Sequence, residues 1–251
     1  MVASPGAADA VRRARAMPSL RVGLHVVLVE ARPALPPERI PDLVGRNGFF
    51  RTDMGRLAVD IAFKPRVRAQ VVAEITAQFE AFAATRLRLD HVNAHKHFHL
   101  HPVIGAELIA IGKRFGALAI RVPTEPAAVV NGIAPASAGL RASLLAQWTR
   151  VLRAQARRAG MATPDAVFGL AWSGAMTRER LKGLLERLPD GVIEIYAHPA
   201  VASRFAGHAP GYRYTDELAA LIDPDCIAAQ RRSGHRLDGF AAGPAPILTN
   251  A

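Results

Sequence analysis

Hydrophobic and polar positions along this chain follow two rhythms. Short apolar runs recur, and longer amphipathic segments separate them. The runs at 20–29, 87–93, 118–122, 166–170 and 192–197 predict buried strands. The segments at 7–16, 67–85, 103–115, 144–159, 177–188 and 215–232 predict helices. Within 67–85, Ile75, Phe79 and Phe82 sit at helical spacing. Gly116 suits the C-cap after 103–115, and Thr177 suits an N-cap. A proline-rich loop covers 32–41, and the chain has neither repeats nor a low-complexity tract.

Strand then helix, repeated, means parallel strands joined by crossover helices. The expected fold class is therefore α/β, a barrel-like (β/α) domain. An open doubly wound sheet is the alternative, but no glycine-rich phosphate loop supports it. Active sites in such folds gather at the carboxyl ends of strands. Three histidines match that rule: His25 lies in a predicted strand, His95 follows one closely, and His198 ends one.

Composition adds bounds. At 251 residues the chain fits one large domain or two small ones, and 50% hydrophobic residues supply a sizeable core. Basic residues number 32 against 21 acidic, a net charge of +11, and arginine dominates. Such a surface favours anionic partners: nucleic acid, phosphates or an acidic membrane leaflet. The lone Cys226 excludes an internal disulfide framework, which fits a cytoplasmic setting, and reads as a buried, inert residue. No apolar run reaches transmembrane length, and the first residues do not form a signal peptide. Arg150, Arg153, Arg157 and Arg158 stud one helix. As a nucleic-acid surface that helix lacks a reading motif and aromatic company, so a solvated face is the expectation and nucleic acid is not an expected partner.

The densest chemistry lies between 91 and 101, where five of the nine histidines fall at 91, 95, 97, 99 and 101. All share one parity with Asn93, so a strand would line them along one face. Imidazole is the commonest protein metal ligand, and five so close together are hard to explain as packing. All five cannot serve one metal: fully extended, 91 and 101 stand about 33 Å apart. His91 and His101 are thus expected to be structural, and His208 and His235 solvent-exposed. His25 alone reads more often as a hydrogen-bonded core residue. A mononuclear metal hydrolase needs two or three protein ligands, an open position for water, and separate acid and base groups. His25 and His95 suit the ligands and His198 the acid.

Asn93-Ala94-His95-Lys96-His97-Phe98-His99 resembles the Asp-Ser-His-x-His-x-His signature of the YdjC-like (ChbG-type) carbohydrate deacetylases. Gly23-Leu24-His25 resembles their Gly-x-His strand, Arg121-Val122-Pro123 their Arg-x-Pro strand, and Glu194-Ile195-Tyr196-Ala197-His198-Pro199 their Glu-x-x-x-His-Pro motif. Asp216-Glu217-Leu218 fits their closing segment, so the resemblance runs from about residue 1 to 240. The run from His91 to Pro102 looks most like the branch associated with hopanoid biosynthesis.

The resemblance implies a divalent metal, magnesium or zinc, held by one Asp and two His, and removal of an N-acetyl group from an amino sugar. His25 and His95 match the ligands and His198 the general acid. His97 and Arg121 match positions lining the site and binding substrate. Asn93 replaces a frequent Asp; its amide can still hold a histidine tautomer. The family opens with an Asp-Asp strand that supplies base and third ligand, and this chain has no Asp-Asp. The expectation is one domain over 1–251 lacking the first βα unit, and inactive for want of those carboxylates. Its expected partners are an amino-sugar substrate, N-acetylglucosaminyl hopanoid in particular, an anionic membrane leaflet touched peripherally from the cytoplasm, and a second copy of the chain. The competing readings are an amidohydrolase-type metal hydrolase using an HxH pair, and a basic nucleic-acid-binding protein.

Overall fold

The computed structural model describes residues 1–135 and 140–240, with side chains described from 146 in the helix that begins at 140. Two compact units emerge. Met1–Arg121 and Gln147–Thr163, with Gly239 and Phe240, form the first; Val122–Ala146 and Pro164–Asp238 form the second.

The first unit is built on a parallel sheet of β1 (Val22–Val26), β2 (Leu89–Ala94) and β3 (Ala119–Ile120), in that order. Helices α1 (Ala7–Arg15), α2 (Met54–Phe63), α3 (Pro65–Ala84), α4 (Pro102–Arg114) and much of α6 (Leu140–Arg158) accompany it. α3 begins with Pro65, whose fixed φ suits a first turn. Its residues Val67, Val71, Ile75, Phe79 and Phe82 are all buried, one stripe at i, i+4, i+8, i+12 and i+15. Each such burial is worth roughly 1.5–3 kcal/mol, and Phe79 stacks on Phe115 at 5.4 Å between ring centroids. α2 is absent from the predicted helices; Asp53 caps it by accepting the Arg56 N–H at 2.9 Å.

A second stripe on α3 is polar and also buried: Gln70, Glu74 and Gln78. Gln78 accepts the Val27 N–H at 3.0 Å and donates to the Val27 carbonyl at 2.6 Å. Glu74 accepts the N–H groups of Ala34 and Leu35, and Gln70 accepts that of Asp42. Backbone groups that leave a sheet must find partners elsewhere. This stripe supplies them and pins the long segment that follows β1.

The second unit pairs β4 (Ala166–Phe168) with β5 (Ile193–Ile195), again parallel. α5 (Ala127–Asn131), α7 (Arg178–Leu185), α8 (Tyr214–Ile222) and α9 (Pro224–Arg232) belong to it. Its core gathers Phe168, Trp172, Met176, Leu184, Ala220 and Cys226, so Trp172 and Cys226 are packing residues. The predicted helix at 215–232 is two helices. Pro224 cannot donate an N–H to continue α8, and Asp223 caps α9 through the N–H groups of Asp225 and Cys226.

Parallel strands joined through helices make this an α/β fold, as the alternating pattern predicts. No closed barrel forms among the described residues.

Candidate active site

The histidine line does not stay on one strand. β2 carries only His91 and Asn93, then ends at Ala94. His95–Leu100 wraps into 3-10 turns, and Lys96 and His97 take left-handed φ values of 52° and 53°. Two successive non-glycine residues there store strain that surrounding contacts must hold, a pattern that concentrates at functional sites. The turn breaks the shared parity and scatters the five imidazoles. His91 bonds Asp90 through Nδ1 at 3.0 Å and packs on Gly23 and Phe240, a support as expected. His99 is fully buried and donates from Nε2 to the Arg121 carbonyl at 2.8 Å. Burial, the largest cause, and the Arg121 charge pull its pKa down to about 4 against that hydrogen bond. His101 occupies the N-cap position of α4 without a side-chain capping bond and is half-buried.

His25 and His95 stand at the carboxyl ends of adjacent strands, where β1 registers His25 on Asn93. Their ring centroids lie 5.7 Å apart in an edge-on arrangement. The Asn93 carbonyl oxygen sits 2.5 Å from His25 Nδ1. With the amide so oriented, Nδ1 carries the proton and Nε2 keeps its lone pair. Burial is the largest cause that brings the His25 pKa down to about 3; the His95, α-amino and Arg121 charges act in the same direction and the Asn93 bond against them. His25 is thus a neutral imidazole near pH 7, the form that donates to a cation.

Arg121 follows β3 immediately; its N–H bonds the Val92 carbonyl and the residue is 9% exposed. With Val92 registered on Ile120, Arg121 leaves β3 level with Asn93 and so at the same strand ends as His25. His97 lies two residues beyond His95, with its ring 6.1 Å from that of His99. Sequence patterning did not single out Glu30. Its backbone is left-handed (φ 66°), and its carboxylate lies 3.7 Å from His95 Nε2 while pairing with Lys96. A non-glycine residue likewise strained after a strand is a signal visible only in dihedrals.

The donor types suit a divalent metal: two imidazoles, one with a fixed tautomer. Among the described residues no three His, Cys, Asp or Glu side chains converge closely enough to hold an ion. His25 and His95 bring two imidazoles to adjacent strand ends, one fewer than a three-ligand site needs.

His198 belongs to the second unit, three residues past β5. Its N–H is accepted by Glu217, which is 1% exposed and also accepts the Met176 N–H at 2.9 Å. Its ring meets Tyr196 edge-on at 5.6 Å and Tyr212 at 5.1 Å. Tyr212 lies against Gly174, where a Cβ would come within 2.3 Å of the ring. Glu125 accepts the N–H groups of Gly169, Leu170 and Ala171 at 2.8, 3.0 and 2.8 Å, and burial still pushes its pKa up. Two carboxylates thus pin the loop after β4, one at each end. Neither was among the predicted site residues; a lone Glu on a helix or loop looks like surface until its backbone partners are known. His208 is exposed as expected, whereas His235 is half-buried between the carbonyls of Ser233 and Pro189, because the chain after α9 folds back past Pro189.

His25 and His95 stand where parallel strands end, the place at which α/β folds carry their ligand sites. The YdjC-like protein family model matches residues 1–232, and the chain belongs to that family. A carbohydrate deacetylase of Geobacillus stearothermophilus is 27% identical over 94% of this chain and 82% of its own length. One from Vibrio vulnificus is 37% identical over 41% of this chain and 38% of its own length, and a mouse carbohydrate deacetylase 30% identical over 80% and 66%. Among solved structures, an Enterococcus faecalis protein named for cellobiose-phosphate cleavage superposes with a TM-score of 0.67. It covers 96% of this chain and 84% of its own at 23% identity, a likeness of fold.

Proposed function

We propose that this chain is a carbohydrate N-deacetylase that hydrolyses the acetamide of an amino sugar with a divalent metal, magnesium or zinc. The observation that carries this reading is the His25–His95 pair at adjacent strand ends, with Asn93 fixing the His25 tautomer. The family match over residues 1–232 supports the carbohydrate class. A bound metal would supply Lewis acidity and lower the pKa of attacking water. His25 and His95 offer Nε2 donors to it. Arg121 and His97 bind and orient the substrate's polar groups. His198 holds the proton that the amine leaving group takes, with its backbone set by Glu217. Glu30 is the described carboxylate beside His95 and is assigned the proton from water. The substrate proposed is an N-acetylglucosaminyl lipid, a hopanoid, met at an anionic membrane face; among the described residues no helix is long and apolar enough to cross a membrane.

Two measurements test this. Metal content of purified protein, read by mass spectrometry after equilibration with zinc or magnesium, should approach one ion per chain and fall about tenfold or more in His25→Ala or His95→Ala. Acetate release from N-acetylglucosaminyl hopanoid and from N-acetylated oligosaccharides should follow the same variants. Unchanged metal content in both variants would sink the ligand assignment. Acetate release from neither substrate class would sink the activity.

A further inference from the structure

Parallel pairing makes the two ends of the first unit's sheet unlike. His25 and His95 stand at the carboxyl ends of β1 and β2. Arg21 and Arg88 immediately precede the same strands, with Val22 registered on Leu89, and so stand at the amino ends. A strand rises roughly 3.3 Å per residue, so four residues from Arg21 to His25 separate the two ends by about 13 Å.

At that amino end lies a pocket of ≈ 220 Å³. Arg15, Arg21, Arg86 and Arg88 line it together with the apolar side chains of Met17 and Leu20. Asp90 is the lining carboxylate, and its Oδ2 is already engaged by His91 Nδ1 and the Phe240 N–H. Four guanidinium groups against one carboxylate give the lining a net positive charge, and Arg15 also donates to the Thr85 carbonyl at 2.8 Å. Planar guanidinium donors match the oxygens of phosphate.

Arg86 adds an independent observation. It follows the α3 C-cap with φ 57°, the left-handed position that glycine ordinarily fills at a helix end. A long side chain there is less favourable than glycine, which has no Cβ to clash in the left-handed conformation. Arg86 is exposed, so packing does not offset that cost. A strained residue with no packing return points to use of its charge.

We propose that this pocket binds a phosphate-class anion, either free phosphate or the phosphodiester of a lipid headgroup. Met17 and Leu20 are 46% and 51% exposed at its rim, which places apolar surface beside the charge as a headgroup and its acyl boundary would meet it. The site uses none of the residues assigned to deacetylation and stands or falls apart from that reading.

The test uses the full chain with two probes: inorganic phosphate by calorimetric titration, and flotation on vesicles of phosphatidylglycerol against pure phosphatidylcholine. The variant Arg86→Gly/Arg88→Gln removes two charges and the backbone strain together, so its melting temperature should hold or rise. Arg157→Gln/Arg158→Gln, on exposed positions of α6, removes equal charge elsewhere. Binding should fall about tenfold or more in the first variant and stay within about twofold in the second. Phosphate binding identifies a soluble anion, whereas retention on phosphatidylglycerol alone identifies a headgroup; either supports the site. Binding of neither probe, or equal losses in the two variants, would overturn it.

Discussion

His99 shows how far a single residue's surroundings can move its chemistry. It is buried with one hydrogen bond, and its folded pKa of about 4 lies below the ordinary 6.5 of an exposed imidazole. Between those values the unfolded chain binds the proton and the folded chain does not. Its contribution is therefore fully present above pH 6.5 and lost as pH falls toward 4. The difference corresponds to about 3 kcal/mol of stability. Urea unfolding should show this loss between pH 7 and 4, with a shallower pH slope for His99→Gln, and the His99 ring shifts should stay those of neutral imidazole down to about pH 4. An ordinary titration of His99 near pH 6.5 would contradict the burial argument. Asn93 acts on one residue in the opposite sense, through a hydrogen bond that favours one tautomer of His25 rather than a charge.

Elements in this fold are joined as much by buried side chains on backbone groups as by sheet ladders. α3 reaches the segment after β1 through Gln70, Glu74 and Gln78, and α8 reaches the loop before α7 and the end of β5 through Glu217. Removing Glu217 strands two N–H groups, one of them that of His198. An unsatisfied buried group costs roughly 1–3 kcal/mol. Glu217→Ala should therefore lower stability by about 3 kcal/mol in urea unfolding, and Glu217→Gln, which keeps one acceptor oxygen, by about half. If His198 is the acid, residual kcat should fall more than KM changes in both variants. Equal stability of Glu217→Ala and the parent would show that the carboxylate holds nothing. The 3-10 turns after β2 make a related point: α3 and α4 are legible as amphipathic stripes, whereas the departure of His95–Leu100 from a strand is not. Period-two parity describes a strand only while the chain remains one, and Lys96 and His97 turn it away in left-handed conformations that propensity does not favour.

The whole molecule carries a net charge of +11 from 32 basic and 21 acidic residues. A potential of that sign steers anions toward it and is screened beyond a Debye length of about 8 Å at physiological salt. Raising salt from about 0.05 to 0.3 M should lower kcat/KM severalfold for an anionic N-acetyl amino sugar and leave a neutral one nearly unchanged. Equal salt dependence of the two substrates would show that steering plays no part. The same excess makes the arginine pocket one concentrated instance of a general property, which is why its test requires a control of equal charge placed elsewhere.

Some of this protein was determined by its sequence alone. Alternating apolar runs and amphipathic segments specified parallel strands and crossover helices, because those periods are local and survive in any context. His25, His95, His198 and Arg121 were legible as candidates because motif spacing along β1, β2, β3 and β5 is also local. Tertiary structure decided the rest. Which histidines meet depends on contacts across 68 residues, as between His25 and Asn93. Whether Glu30, Glu74, Glu125 or Glu217 is a solvated surface charge or a buried clamp depends on which backbone N–H groups the fold brings to it. His99 and His235 moved from an expected row and an expected surface to enclosed positions for the same reason. Burial and hydrogen-bond partnership are properties of the folded chain, and they set the protonation and orientation on which the chemistry depends.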